Sequence, residues 1–245
     1  MAPELCTALA DDIESLIRLH DREMDADTLA AMQAADFPFC SALPPAGEAG
    51  LEAYGNLQAV LATIPRPAPA AVLDDLAADY AAIYLNNSIG ASPYESVWLD
   101  NDHLACQQSM FELRQLYAAV GLEVRDWRKR YDDHLVCQLQ YLRHCLLREA
   151  VDWAALADFI DDHLGYWLPD FAQRVTRFGK TDFYDGVAQV TYVWLERCRE
   201  LLAEIHALPR PPWEVLTDRI RRKLALDKAE VAPIKFMPGA QGPSW

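Results

Sequence analysis

Apolar residues recur at three- and four-residue spacing through almost the whole chain, and strand-like alternation persists nowhere. That regularity restricts the fold to packed helices. Residues 4–22 place Leu5, Leu9, Ile13, Leu16, Ile17 and His20 on one face. A short helix over 27–35 is stopped by Phe37-Pro38-Phe39 and Leu43-Pro44-Pro45. The next, 47–64, turns Leu51, Tyr54, Leu57 and Leu61 inward, and Pro65, Pro67 and Pro69 follow as an extended linker. The spacing predicts helices over 70–85 (Leu73, Leu76, Tyr80, Ile83, Tyr84) and 99–120 (Leu99, His103, Cys106, Met110, Leu113, Tyr117), with Gly121 closing the second.

Residues 132–147 are again helical, with Asp132 or Asp133 as N-cap, and 152–163 follow. Leu164-Gly165-Tyr166-Trp167-Leu168-Pro169 enters a separate helix to Phe178. Thr181 or Asp182 caps a long one to His206, with Phe183, Val187, Val190, Trp194, Cys198, Leu201 and Ile205 inside. Pro211-Pro212-Trp213-Glu214 opens the last helix, to about Leu226. The expected fold is all-α, a bundle of about ten helices without a solenoid repeat.

The 245 residues suffice for a core without disulfide or metal, since a chain of this size buries roughly 70–75% of its unfolded surface. Two lobes are expected, 1–121 and 132–226, joined by a hinge over 122–131 that carries Arg125-Asp126-Trp127-Arg128-Lys129-Arg130. An irregular tail, 227–245, follows.

Charge excludes several classes of partner. With 37 acidic against 22 basic residues the net charge is −15, which disfavours nucleic acid and anionic membrane surfaces and favours cationic partners or solubility. The six cysteines form no Cys-x-x-Cys pair and read as free thiols in a reducing compartment. Met-Ala-Pro-Glu-Leu-Cys has neither a basic region nor an apolar run, so no secretory leader is expected. No apolar run reaches membrane-spanning length. A cytoplasmic location is expected.

The richest stretch is Asp79–Asp100. It begins as a helix end with Tyr80 and Tyr84 on one face. Asn86, Asn87, Ser88, Gly90, Ser92 and Pro93 then break the helix. The resulting loop is rimmed by Tyr84, Tyr94 and Trp98 and holds one carboxylate, Glu95. Such a loop on a helical scaffold suits binding, and its aromatics equally suit packing.

Tyr-x-x-Ile-Tyr at 80–84, the Gly/Ser/Pro loop, and Pro93-Tyr94-Glu95-Ser96-Val97-Trp98 resemble the signature loop of the TorD/DmsD/NarJ family, chaperones for molybdenum-containing redox enzymes. The family's usual pattern has Leu-Phe where Ile83-Tyr84 stand and Tyr where Trp98 stands. The C-terminal half is also similar, through Phe159-Ile160, His163-Leu164, Trp167, Pro169, Phe171, Phe183-Tyr184, Ala188 and Thr191, so the resemblance covers roughly 50–205. Asp133-His134 matches the family's Glu-Pro-x-Asp-His-Leu, with Arg130-Tyr131 in place of Glu-Pro.

The resemblance implies a non-enzymatic cytoplasmic chaperone, monomeric or a domain-swapped dimer. Its implied partner is a molybdopterin-containing oxidoreductase, bound through the twin-arginine signal peptide or as the apo protein. No cofactor is implied. The candidate peptide-binding set is Tyr80, Tyr84, Leu85, Pro93, Tyr94, Glu95, Ser96, Trp98, Asp132, Asp133 and His134. Aromatic walls would take an apolar helix, and Glu95, Asp132 and Asp133 a basic one. His134 beside Asp133 is expected to be charge-stabilised and to titrate near neutrality.

A different class of function also has some support. Asp-Asp-His-Leu occurs at 132–135 and at 161–164, and facing carboxylates and imidazoles build metal sites in bundles. With the His20-Asp21 dipeptide this suggests a metal-dependent helical hydrolase as the alternative. There is no Gly-x-Ser-x-Gly elbow, Walker A or dinucleotide fingerprint.

Overall fold

The computed structural model describes residues 1–99, 103–105, 107–126 and 128–230, with side chains to 225. Asp100, Cys106 and Trp127 from the sequence reading, and the part of the expected tail over 231–245, lie outside the described residues. The described residues are all-α: α1 (Pro3–Asp21), α2 (Ala26–Ala34), α3 (Gly47–Thr63), α4 (Ala70–Tyr80), α5 (Ser96–Leu99), α6 (Gln108–Ala119), α7 (Leu135–Leu146), α8 (Trp153–Phe159), α9 (Gly165–Phe178), α10 (Asp182–His206) and α11 (Trp213–Glu230). Wide π-turns extend α4 over Ala81–Leu85 and join α8 to α9 over Ile160–Leu164.

Residues Met1–Arg210 form one compact unit, and a second begins at Pro211. Within the first, α3 and α9 pack on α10, and α1 packs on α7. Leu9, Ile13, Leu57, Ile83, Trp167, Tyr184 and Trp194 are among the buried residues of its single core. Elements on both sides of the 122–131 segment therefore share that core.

Several helix ends follow from capping chemistry. Asp25 accepts from the Thr28 amide at 2.7 Å, and Asp152 from the Ala155 amide at 3.0 Å. At the end of α6, Leu122 N–H donates to Tyr117 O and Gly121 N–H to Ala118 O, the paired bonds of a Schellman turn.

Five local expectations are corrected. The helix expected over 99–120 is two: α5 ends at Leu99 and α6 starts at Gln108, and His103, at φ 50°, cannot belong to a right-handed helix. The α7 cap is His134, whose Nδ1 accepts from the Val136 amide at 3.1 Å, not Asp132 or Asp133. The break expected at 164–169 is absent. The π-turn absorbs the mismatch there, and a Cβ on Gly165 would stand 2.8 Å from Ile160 O, so glycine lets the chain run through. Leu51 and Ile205, expected inside, are 56% and 44% exposed. The last helix also runs on to Glu230.

Candidate functional site

The loop is held at both ends. Before it, Asp79 is fully buried and accepts from the amides of Lys180 (3.1 Å) and Thr181 (2.9 Å) and from the Thr181 hydroxyl (2.6 Å), which fixes α4 to the start of α10. The π-turn then delivers Ile83 and Tyr84 into the core. Asn87 and Gly90, both at positive φ, turn the chain out of the helix, and Asn86 Oδ1 accepts from the Ser88 amide at 2.9 Å.

After the turn, the loop is clasped by the residues preceding α7. Leu135 N–H donates to Pro93 O at 2.8 Å, and Glu95 N–H to Asp133 O at 3.1 Å, an isolated antiparallel bridge centred on Tyr94 and His134. Asp133 Oδ2 accepts from the Ser96 amide (3.0 Å) and hydroxyl (2.5 Å). His163 Nδ1–H donates to Glu95 at 2.9 and 3.2 Å. The two Asp-Asp-His segments thus converge on adjacent loop residues, one through its aspartate and the other through its histidine. Trp98 closes the loop on itself, donating from Nε1 to Ser92 O at 2.9 Å.

Asp132 and Asp161 of these segments serve as anchors. Asp132 accepts from Arg114 Nε (3.3 Å) and Nη2 (2.8 Å), and its carbonyl accepts from the Tyr117 hydroxyl at 2.8 Å. Asp161 accepts from Arg199 at 2.9 and 2.8 Å and from Arg210 at 2.8 Å. Arg199 also donates to Leu208 O at 2.8 Å and so ties down the turn after α10.

Burial sets the protonation states. Loss of hydration pushes Asp133 up to about 6; the Ser96 bonds oppose this, and neighbouring Glu95 adds to it. The expectation that His134 is charge-stabilised near neutrality is overturned. Burial, then the charge of Arg130, hold it well below the usual histidine value, and its Nδ1 lone pair is committed to the Val136 amide.

His20 is likewise neutral, pushed by burial to about 3. Its tautomer follows from its partners. Thr191 Oγ1 donates its one proton to Val187 O at 2.8 Å, so it accepts from His20 Nε2–H at 2.8 Å. His20 Nδ1 is then the acceptor for the Tyr84 hydroxyl at 2.6 Å.

Of the eleven candidate residues, Tyr80, Tyr84, Pro93, Glu95, Ser96, Asp132, Asp133 and His134 are buried. Tyr94 and Trp98 are half-buried, and Leu85 is 66% exposed. The rings of Tyr80 and Tyr84 lie tilted against one another in the core, with centroids 4.7 Å apart. The three carboxylates are all engaged, Glu95 by His163, Asp132 by Arg114 and Asp133 by Ser96. The residues replacing the family's Glu-Pro are also used: Arg130 pairs with Asp21 at 2.6 Å, and Tyr131 packs on Tyr94 with centroids 5.5 Å apart. Beside this segment lies a groove of about 640 Å³ lined by Tyr117, Leu122, Arg125, Lys129 and Tyr141, among others.

The hydrolase reading loses its ligands here. His20, His134 and His163 are each turned to a hydroxyl, an amide or a carboxylate within the fold. Among the described residues no three His, Cys, Asp or Glu are grouped to hold a metal. Sequence reasoning missed Asp79, Arg114, Tyr117, Arg199 and Arg210, whose partners lie far away in the chain and which no local motif marks. Among the described residues no helix is long and apolar enough to cross a membrane.

A model of the nitrate reductase delta subunit family matches residues 45–173. Among individual relatives, the chaperone protein TorD of Vibrio cholerae is 30% identical over 141 residues, which span 54% of this chain and 64% of the relative. The match thus covers slightly less than two thirds of that relative. TorD of a Psychrobacter species is 27% identical over 202 residues, 76% of this chain and 88% of the relative. TorD of Pasteurella multocida is 32% identical over 124 residues, 50% of this chain and 61% of the relative. The matched span takes in the aromatic loop and both Asp-Asp-His segments that clasp it, and the chain belongs to the nitrate reductase delta subunit family, the TorD/NarJ family.

Proposed function

We propose that this protein is a non-enzymatic, cytoplasmic chaperone for a molybdopterin-containing oxidoreductase. It would bind the twin-arginine signal peptide, the apo client or both, and hold the client until its cofactor is inserted. The observation that carries this reading is that the family match spans the loop over 86–98 and both segments that clasp it. The relatives named as chaperones support a role without catalysis.

The physical task fits what the loop offers. A signal peptide with a basic start and an apolar helical core needs an apolar surface near negative charge. Tyr94 and Trp98 are the half-exposed aromatics on a loop whose backbone is pinned in advance, so little ordering entropy is lost when they take up a ligand. The net charge of −15 would steer a cationic peptide towards the protein. The 122–131 segment is the proposed hinge, at which two lobes could exchange between chains in a swapped dimer.

The test is direct binding of a synthetic twin-arginine signal peptide, together with client activity in a strain lacking this protein. Saturable binding that weakens when both arginines are changed to lysine, and restored client activity on complementation, are expected. Equal client activity with and without the protein would overturn the reading.

A further inference from the structure

We propose that Asp132 is a guanidinium-binding site that Arg114 occupies in the resting protein, and that an arginine of the bound signal peptide takes Arg114's place. The proposal rests on the chaperone reading above and names the side chain that would receive the peptide's charge.

Three carboxylates meet at the clasp, and they differ in how they could be reached. Glu95 and His163 are 1% and 5% exposed at their side chains. Asp133 is fully buried and its bonded oxygen is held by two Ser96 donors. Freeing either carboxylate would break buried bonds, to His163 or to Ser96, whose donors a guanidinium does not resemble. Asp132 is different. Its side chain is 3% exposed, while that of its partner Arg114 is 42% exposed, so the arginine forms the lid over the acid.

The geometry is that of arginine recognition. Arg114 presents Nε and Nη2 side-on to the two carboxylate oxygens, at 3.3 and 2.8 Å. Its guanidinium also lies 5.6 Å from the ring centroid of Phe111, which is itself 43% exposed. A carboxylate fork beside an aromatic face suits any incoming guanidinium and suits an ammonium poorly. Exchanging one guanidinium for another leaves the buried acid paired throughout, and the displaced Arg114 moves from a half-exposed position into water. The Asp132 carbonyl stays fixed by Tyr117 during the exchange.

Two measurements test this. The first is affinity for the twin-arginine signal peptide and its twin-lysine analogue. Arg114→Gln removes the resident competitor and should tighten binding of the arginine peptide about tenfold, because the competent state no longer has to be opened. The lysine peptide should gain less. Asp132→Asn should weaken arginine-peptide binding, and the double variant should behave like Asp132→Asn alone. Arginine-peptide affinities unchanged by Arg114→Gln or by Asp132→Asn would overturn the proposal.

The second measurement does not depend on the peptide. In Arg114→Gly, guanidinium chloride at low millimolar concentration should raise the thermal midpoint, where sodium chloride at equal ionic strength does not. Arg114→Gly/Asp132→Asn should show no such rise. Absence of rescue in Arg114→Gly overturns the site. Rescue in a protein that binds no signal peptide instead places the failure with the chaperone reading.

Discussion

His163 Nδ1–H donates to Glu95 at 2.9 Å across 68 residues of chain, and both side chains are shut away from solvent. The pair joins the π-turn between α8 and α9 to the centre of the aromatic loop. Removing one member strips the other of a buried hydrogen bond, a loss of about 1–3 kcal/mol. Glu95→Ala and His163→Ala are each expected to destabilise strongly in urea unfolding. The double variant should cost much less than the sum, with a coupling of about 1 kcal/mol or more. Additive losses would mean that the two side chains act independently.

Asp133 gives the clasp a defined pH response. Its value in the fold, about 6, lies above the ordinary 3.8 because of burial, so the folded state holds the proton more tightly than the unfolded chain. The stability from this group is complete below 3.8 and is lost as pH rises through about 6. In Asp133→Asn that loss is absent. The stability difference between variant and wild type should therefore shift in favour of the variant by about 3 kcal/mol between pH 3.5 and 7. A carboxyl-carbon NMR titration of Asp133 centred near 4 would contradict the assignment.

The sign is opposite for His20. Burial depresses it from 6.5 to about 3, so its contribution is present above 6.5 and lost as pH falls through about 3. Its ring should remain neutral, with the proton on Nε2, in nitrogen-detected NMR across pH 5–8. Tyr84→Phe removes the hydroxyl that donates to Nδ1 and leaves a buried acceptor bare, a cost of about 1–3 kcal/mol by urea unfolding. Titration of His20 near 6.5 would show that the network opens in solution.

The helices were legible because their signal is local. The face of α1 runs Leu9, Ile13, Leu16, Ile17 and His20 in the sequence as in the core. The loop showed itself through Asn87 and Gly90, whose residue types tolerate positive φ. The clasp was not legible, since a buried polar contact has no period. Asp133 stands where an N-cap is expected, yet its carboxylate turns to Ser96, 37 residues away, and His134 takes the cap. Gly165 and Pro169 read as a break because each alone disfavours a helix. Only the geometry of the Ile160 carbonyl reveals why the chain continues there.

Aromatic residues at the loop divide into two kinds with separable effects. Tyr80 and Tyr84 belong to the core, and truncating them should cost stability before anything else. Trp98 is half-buried, held by one hydrogen bond to Ser92 O, and faces the surface where a peptide would lie in the proposed function. Trp98→Ala should weaken signal-peptide binding by about 2 kcal/mol, the scale of an interface hot spot. Its thermal midpoint should fall only slightly, because the clasp through Glu95 and Ser96 is left in place. Trp98→Phe keeps the ring surface without the Nε1 donor and should recover most of the affinity. Isothermal titration with one peptide across wild type and both variants, beside melting curves, separates the effects. If Trp98→Ala lowers the midpoint as far as Tyr84→Ala does while affinity is unchanged, Trp98 is a packing residue and the peptide binds elsewhere.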